Sequence, residues 1–133
     1  MPTSATPAPR IILNDGRTIP QLGFGTFLVP PEDTERVVSQ ALEAGYRHID
    51  TAQMYGNEDG VRRAIAASAI AREDLWITTK LNNPFHERGA AREATERSLE
   101  ALGGQIDLYL VHWPLAMYDD VARVWEVTNI FTL

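Results

Sequence analysis

Hydrophobic residues recur along this chain with two alternating periods. Ile11-Ile12-Leu13 and Arg17-Thr18-Ile19 flank Asn14-Asp15-Gly16. Asp-Gly is a strong turn signal because glycine adopts positive φ at no steric cost, so the pair predicts an N-terminal β-hairpin. Gln21 to Phe27, interrupted by glycines, predicts the next strand, with close backbone approach at the glycines. Pro30-Pro31-Glu32-Asp33 then opens a helix, because proline is tolerated in a first turn and acids favour the positive helix end. Val37, Val38, Ala41 and Leu42 form its apolar face, and Gly45 ends it.

The alternation continues. Tyr46 to Asp50 predicts a strand, and Asn57 to Ser68 a helix with Val61, Ala64, Ile65 and Ser68 on one face. Asn57 follows a glycine, so its side-chain oxygen is expected to cap that helix, and Glu58 is given a capping role too. Leu75 to Thr79 predicts a strand ending at Lys80, and Asn82-Asn83-Pro84 a loop. Ala90 to Leu102 predicts a helix stopped by Gly103, and Ile106 to Val111 a strand ending at His112-Trp113-Pro114. Asp119 to Val127 begins a fourth helix. Units of about 30 residues that alternate strand and helix build parallel sheets with helices outside and right-handed crossovers. The fold class is therefore α/β.

The strand ends carry the candidate chemistry. The later three strands finish at Asp50, Lys80 and His112, and Tyr55 lies in the loop after Asp50. In a parallel sheet all strand C-termini share one rim, so an acid, a phenol, an amine and an imidazole converge. A phenol, with a reference pKa of ~10, is a poor acid near neutrality. An adjacent ammonium favours the phenolate, and a carboxylate keeps that ammonium charged and oriented. An imidazole can hold a carbonyl oxygen. No such group carries a hydride, so reduction would need a cofactor. Each residue also has a plainer reading: Asp50 bonding nearby N–H groups, Tyr55 packing on a rim, Lys80 solvated, His112 a hydrogen-bonded core histidine. Their placement at successive strand ends favours the joint reading. His48 and His86 are read as structural.

Composition narrows the class. The chain has 133 residues, 44% apolar and 23% charged, ordinary for a soluble globular protein. A formal charge of −6 and a pI near 5.0 argue against a nucleic-acid or anionic-membrane binder. There is no cysteine, which removes disulfides and thiolate chemistry and fits a reducing, cytoplasmic setting. Residues 1–9 lack an apolar core and read as a disordered tail, not a signal peptide, leaving 10–133 as the folded unit. No apolar run approaches the ~20 residues of a membrane helix. No His/Asp/Glu cluster has metal-ligand spacing.

Five segments in order resemble the aldo-keto reductase family. They are Leu22-Gly23-Phe24-Gly25-Thr26-Phe27, Gly45 to Ala52, Met54-Tyr55-Gly56-Asn57-Glu58, Ile77-Thr78-Thr79-Lys80-Leu81 and Asp107 to Pro114. The flavour is that of bacterial members such as 2,5-diketo-D-gluconate reductases. The resemblance implies a (β/α)8 barrel and NADPH-dependent reduction of aldehydes or ketones. It implies a catalytic tetrad of Asp50, Tyr55, Lys80 and His112, with Tyr55 as proton donor. It also implies that Gly25, Thr26 and Asp50 lie against the cofactor, and Phe27, Met54 and Trp113 in the substrate pocket.

A whole barrel of this type needs about 250 residues. The sequence thus reads as a truncated N-terminal half, four βα units at most, with the main NADPH loops expected in the absent C-terminal half. A half barrel leaves its first and fourth strands as open edges and its inward apolar side chains facing water. Self-association or the missing half are the expected partners, besides a small carbonyl substrate. The alternative function is a catalytically inactive remnant or association module that cannot hold NADPH alone.

Overall fold

The structure is a computed structural model that describes residues 8–114. The fourth helix and most of the tail read from the sequence lie outside the described residues. Strands β1 (Arg10–Ile12) and β2 (Thr18–Pro20) pair antiparallel across the Asp15-Gly16 turn, with Ile11 opposite Ile19. Gly16 has φ +83, the positive value the turn requires.

Four strands then form a parallel sheet in the order β3 (Phe24–Gly25), β4 (His48–Asp50), β5 (Trp76–Leu81) and β6 (Leu108–Val111). Helices α1 (Pro31–Glu43), α2 (Glu58–Ala67) and α3 (Arg88–Ala101) fill the crossovers. β3 is shorter than Gln21 to Phe27 suggested. At Thr26 the chain leaves the ladder for a turn closed by Val29 N–H on the Thr26 carbonyl (3.1 Å). β4 starts later than Tyr46 because that residue finishes α1. Gly45 N–H bonds the Leu42 carbonyl and Tyr46 N–H the Ala41 carbonyl, with Gly45 at φ +101.

The sheet has two unlike faces. Ile49 and Ile77 point at the helices and pack with Val38, Leu42, Val61, Ala64, Leu75 and Leu102. Leu81 continues that layer against Ala91 and Ala94 of α3. The opposite face is mixed: the apolar side chains expected there are present in Trp76, Leu108 and Leu110, and they share it with His48, Asp50, Thr78 and Lys80. His48 Nε2 meets Thr78 Oγ1 at 3.0 Å, and Lys80 meets Asp50 beyond them. Period-2 alternation puts His48 and Asp50 on the side away from Ile49. Trp76 shares that side and lies under the Arg17 guanidinium of the hairpin, 5.4 Å from its ring centroid. Leu110 is the exposed apolar residue that the register places beside Lys80.

α1 and α2 cross closely at Gly60. A Cβ there would come 2.7 Å from Thr34 Cβ and 3.3 Å from the Glu35 backbone nitrogen. Alanine for glycine in a helix normally gains about 0.5–1 kcal/mol. Overpacking costs about 1–3 kcal/mol, and backbone is one of the clashing partners here, so the loss wins. Gly60→Ala is therefore expected to lower the urea midpoint at unchanged slope, and a raised midpoint would contradict this crossing.

Candidate active site

Register and loop geometry bring the predicted residues together at one rim. Asp50 is the last residue of β4, Lys80 lies one residue before the end of β5, and His112 directly follows β6. Tyr55 closes a single 3-10 turn, Gln53–Tyr55, that rises from β4 and ends at Gly56, φ +67. Lys80 Nζ donates to Asp50 Oδ1 (2.6 Å), to the Thr51 carbonyl (2.9 Å) and to the Tyr55 hydroxyl (3.4 Å).

Lys80 is the only lysine in the chain. An ammonium has three donors and no acceptor, and here each donor has its own acceptor. Its side chain is 14% exposed, so this pair is better sheltered than a surface salt bridge, which contributes little. The same Nζ stands 5.1 Å from the Tyr55 ring centroid. The His112 ring meets Tyr55 edge-on, with centroids 5.7 Å apart.

Burial lowers the His112 pKa below the ordinary imidazole value, and the Lys80 ammonium lowers it further against the opposing pull of Asp50. His112 is thus neutral at neutral pH. Its Nδ1 is buried and has no hydrogen-bond partner among the described residues. Burial likewise lowers the pKa of His48, which holds Thr78 on the same face.

The remaining sequence candidates surround this cluster. Phe27, Met54 and Trp113 are all exposed, and the Phe27 ring lies 5.1 Å from that of Tyr55. Gly25 pairs with Asp50 and has open space where a Cβ would stand. Thr26 is fully buried, and its hydroxyl is turned inward to Thr51 Oγ1 at 2.9 Å.

Two residues read as helix caps do something else. Asn57 makes no cap to α2; its φ of −129 and ψ of 11 fall outside the extended conformation of an N-cap. Its amide is buried between the β3–α1 turn and Thr51. Glu58 is buried as well, accepting from Thr79 Oγ1 (2.5 Å) and Ser98 Oγ (3.2 Å). Thr51, unnoticed in the sequence, supplies the carbonyl that holds Lys80. The available signal was positional: Thr26 and Thr51 are small polar residues at the ends of neighbouring parallel strands, where a polar partner can bridge them.

The fold and this rim define a parallel α/β unit with a Lys-centred acid–phenol–imidazole site at its strand ends. Residues 21–130 match the model of the Aldo/keto reductase family. The chain belongs to that family. It is 48% identical over 124 residues to an aldo-keto reductase of Mycobacterium tuberculosis, covering 92% of this chain and 44% of that protein. The crystal structure of an aldo/keto reductase from Brucella melitensis superposes with a TM-score of 0.85 at 45% identity, covering 92% of this chain and 48% of that one. An aldo-keto reductase of Bombyx mori, solved in complex with NADP, superposes with a TM-score of 0.83 at 39% identity, covering 95% and 47%. The chain therefore spans less than half the length of these relatives.

Glu58 and His112 give two pH-dependent expectations. Burial raises the Glu58 pKa, outweighing its two hydroxyl partners. The folded state then holds the proton more tightly than the unfolded chain. That contribution to stability is full below the ordinary glutamate value and is lost as pH rises through the raised folded value. Glu58→Gln removes the slope, so denaturant midpoints at about pH 4 and about pH 7 should differ less in the variant than in the parent. In an NMR titration the His112 ring is expected to take up its proton below the ordinary value of 6.5; a midpoint above it would contradict the site.

Proposed function

We propose that this chain carries the proton-donating side of a carbonyl reductase site that converts an aldehyde or ketone to an alcohol with NADPH. The observation that carries the reading is the Lys80 ammonium bonded at once to Asp50 and to the Tyr55 hydroxyl, with His112 against the same ring. Tyr55 gives its hydroxyl proton to the carbonyl oxygen as the carbon is reduced. Lys80 offsets the negative charge left on the phenol oxygen, and Asp50 holds Lys80 in place. With Nδ1 buried, Nε2 of neutral His112 is the nitrogen left to meet the substrate oxygen. Donors fixed in advance at developing charge are the strongest means such a site has. Phe27, Met54 and Trp113 supply exposed apolar surface around Tyr55 for the rest of the substrate.

The residues present fit a nicotinamide at its reactive end. Bound NADPH would supply the hydride. Gly25 leaves open space beside Asp50, and the backbone of Thr26 follows it on the rim. Among the described residues no glycine-rich loop cradles phosphates, so the reading assigns the rest of the grip to residues outside them. The fold that goes with this reading is the (β/α)8 barrel, and the described sheet supplies one side of it. A small carbonyl compound is the substrate partner, and residues completing the barrel, or a second copy, are the protein partner.

Titration of NADPH by its own fluorescence, followed by carbonyl-dependent NADPH oxidation, tests this. The expected result is binding, with turnover that falls by about 10²-fold or more in Tyr55→Phe. Undetectable binding would favour an association module that keeps the site without using it. Full turnover in Tyr55→Phe would remove the proton-donor role.

A further inference from the structure

Asn57 touches no atom of the Lys80–Asp50–Tyr55–His112 cluster in the hydrogen-bond network, yet it holds two pieces of chain that do. Its Nδ2 donates to the Thr26 carbonyl (2.9 Å) and the Val29 carbonyl (3.0 Å). Its Oδ1 accepts from Thr51 Oγ1 (3.2 Å) and lies 3.3 Å from Thr26 Oγ1. Two carbonyls facing one end of the amide fix which end is nitrogen. Thr26 and Thr51 have no exposure and Asn57 has 2%, so water does not compete for these bonds.

The two halves of the amide serve different parts of the rim. Through Oδ1 it holds the Thr51 side chain, while the carbonyl of the same residue accepts from Lys80 and its N–H bonds the Thr78 carbonyl. Thr51 is thus fixed on three sides, and the Lys80 acceptor cannot rotate away. Through Nδ2 it closes the turn of residues 26–29. Leu28 in that turn has φ +62, a conformation rare for a side chain other than glycine, asparagine or aspartate, and is 82% exposed. The turn that carries Leu28 is held by the Val29 N–H on the Thr26 carbonyl and by the two Asn57 bonds that bracket it. Phe27, the neighbour of Leu28, lies against Tyr55.

We infer that Asn57 is a positioning residue that couples the Phe27 turn to the Lys80–Tyr55 pair, so that the substrate-facing rim and the proton donor keep one relative geometry. Only a carboxamide does this from the position. A carboxylate would set an oxygen against two carbonyls, and a serine is too short to span both arms.

Asn57→Asp tests the coupling in the full chain. Because Lys80 is the only lysine, labelling lysine with 15N yields a single side-chain ammonium signal. In the variant that signal is expected to shift or broaden, and the nuclear Overhauser contact between the Phe27 and Tyr55 rings to weaken. The turnover arm rests on the carbonyl-reductase reading: kcat/KM should fall by about tenfold or more, with KM raised through Phe27 and kcat lowered through Lys80. A folded variant with a lower unfolding midpoint but parental signals in both spectra would overturn the inference and leave Asn57 a core residue. Should Asn57→Asp not fold, Thr51→Val removes the hydroxyl arm at nearly constant volume. An unchanged Lys80 signal there overturns the inference equally. Absence of turnover in the parent would strike the functional reading alone, since both spectra are read without it.

Discussion

One ammonium holds the rim of this sheet together. Lys80 reaches from β5 to the end of β4, to the residue after it, and to the phenol of the following turn. Those acceptors are supplied by Asp50, Thr51 and Tyr55, which span one strand end and the turn that leaves it. A neutral side chain at position 80 would leave the Asp50 carboxylate, 35% exposed, the Thr51 carbonyl and the Tyr55 oxygen without the cation that gathers them. The geometry of the site and the path of the β4–α2 connection are thus set by the same bonds.

The sheet separates its two tasks by face. On the helix side, period-2 alternation sends Ile49, Ile77 and Leu81 into apolar layers with α1, α2 and α3. On the other side, His48, Thr78, Asp50 and Lys80 pair across neighbouring strands. This polar ladder rises from the hairpin end, where Arg17 covers Trp76, to the rim where Tyr55 and His112 meet. Glu58 is an acidic residue lodged in the helix layer. It is tolerated because Thr79 and Ser98 both donate to it, and burial pushes its pKa up.

Much of this was legible from residues alone. Alternating periods placed each of the three described helices to within a few residues, because features such as the stripe Val38, Ala41 and Leu42 and the stop at Gly45 are local signals. The convergence of Asp50, Tyr55, Lys80 and His112 followed from topology, since parallel strands present their ends together. The inner face is apolar only in part: Trp76, Leu108 and Leu110 share it with His48 and Thr78, whose pairing across β4 and β5 has no local signature in the sequence. Asn57 and Glu58 were misjudged for a similar reason. At the start of a helix, polar residues suit a cap, and only tertiary packing shows that their partners, Thr26, Thr51, Thr79 and Ser98, lie elsewhere in the chain.

The solitary lysine has a practical side. Every other basic side chain except the three histidines is an arginine, which amine-directed reagents ignore. Coupling to a surface, tagging with a dye or fixation with an aldehyde would, apart from the chain's own α-amino group, find no amine except the one at the rim. Any reagent that does reach Lys80 must first displace its bonds to Asp50, Thr51 and Tyr55, so labelling there would report how tightly the rim is closed.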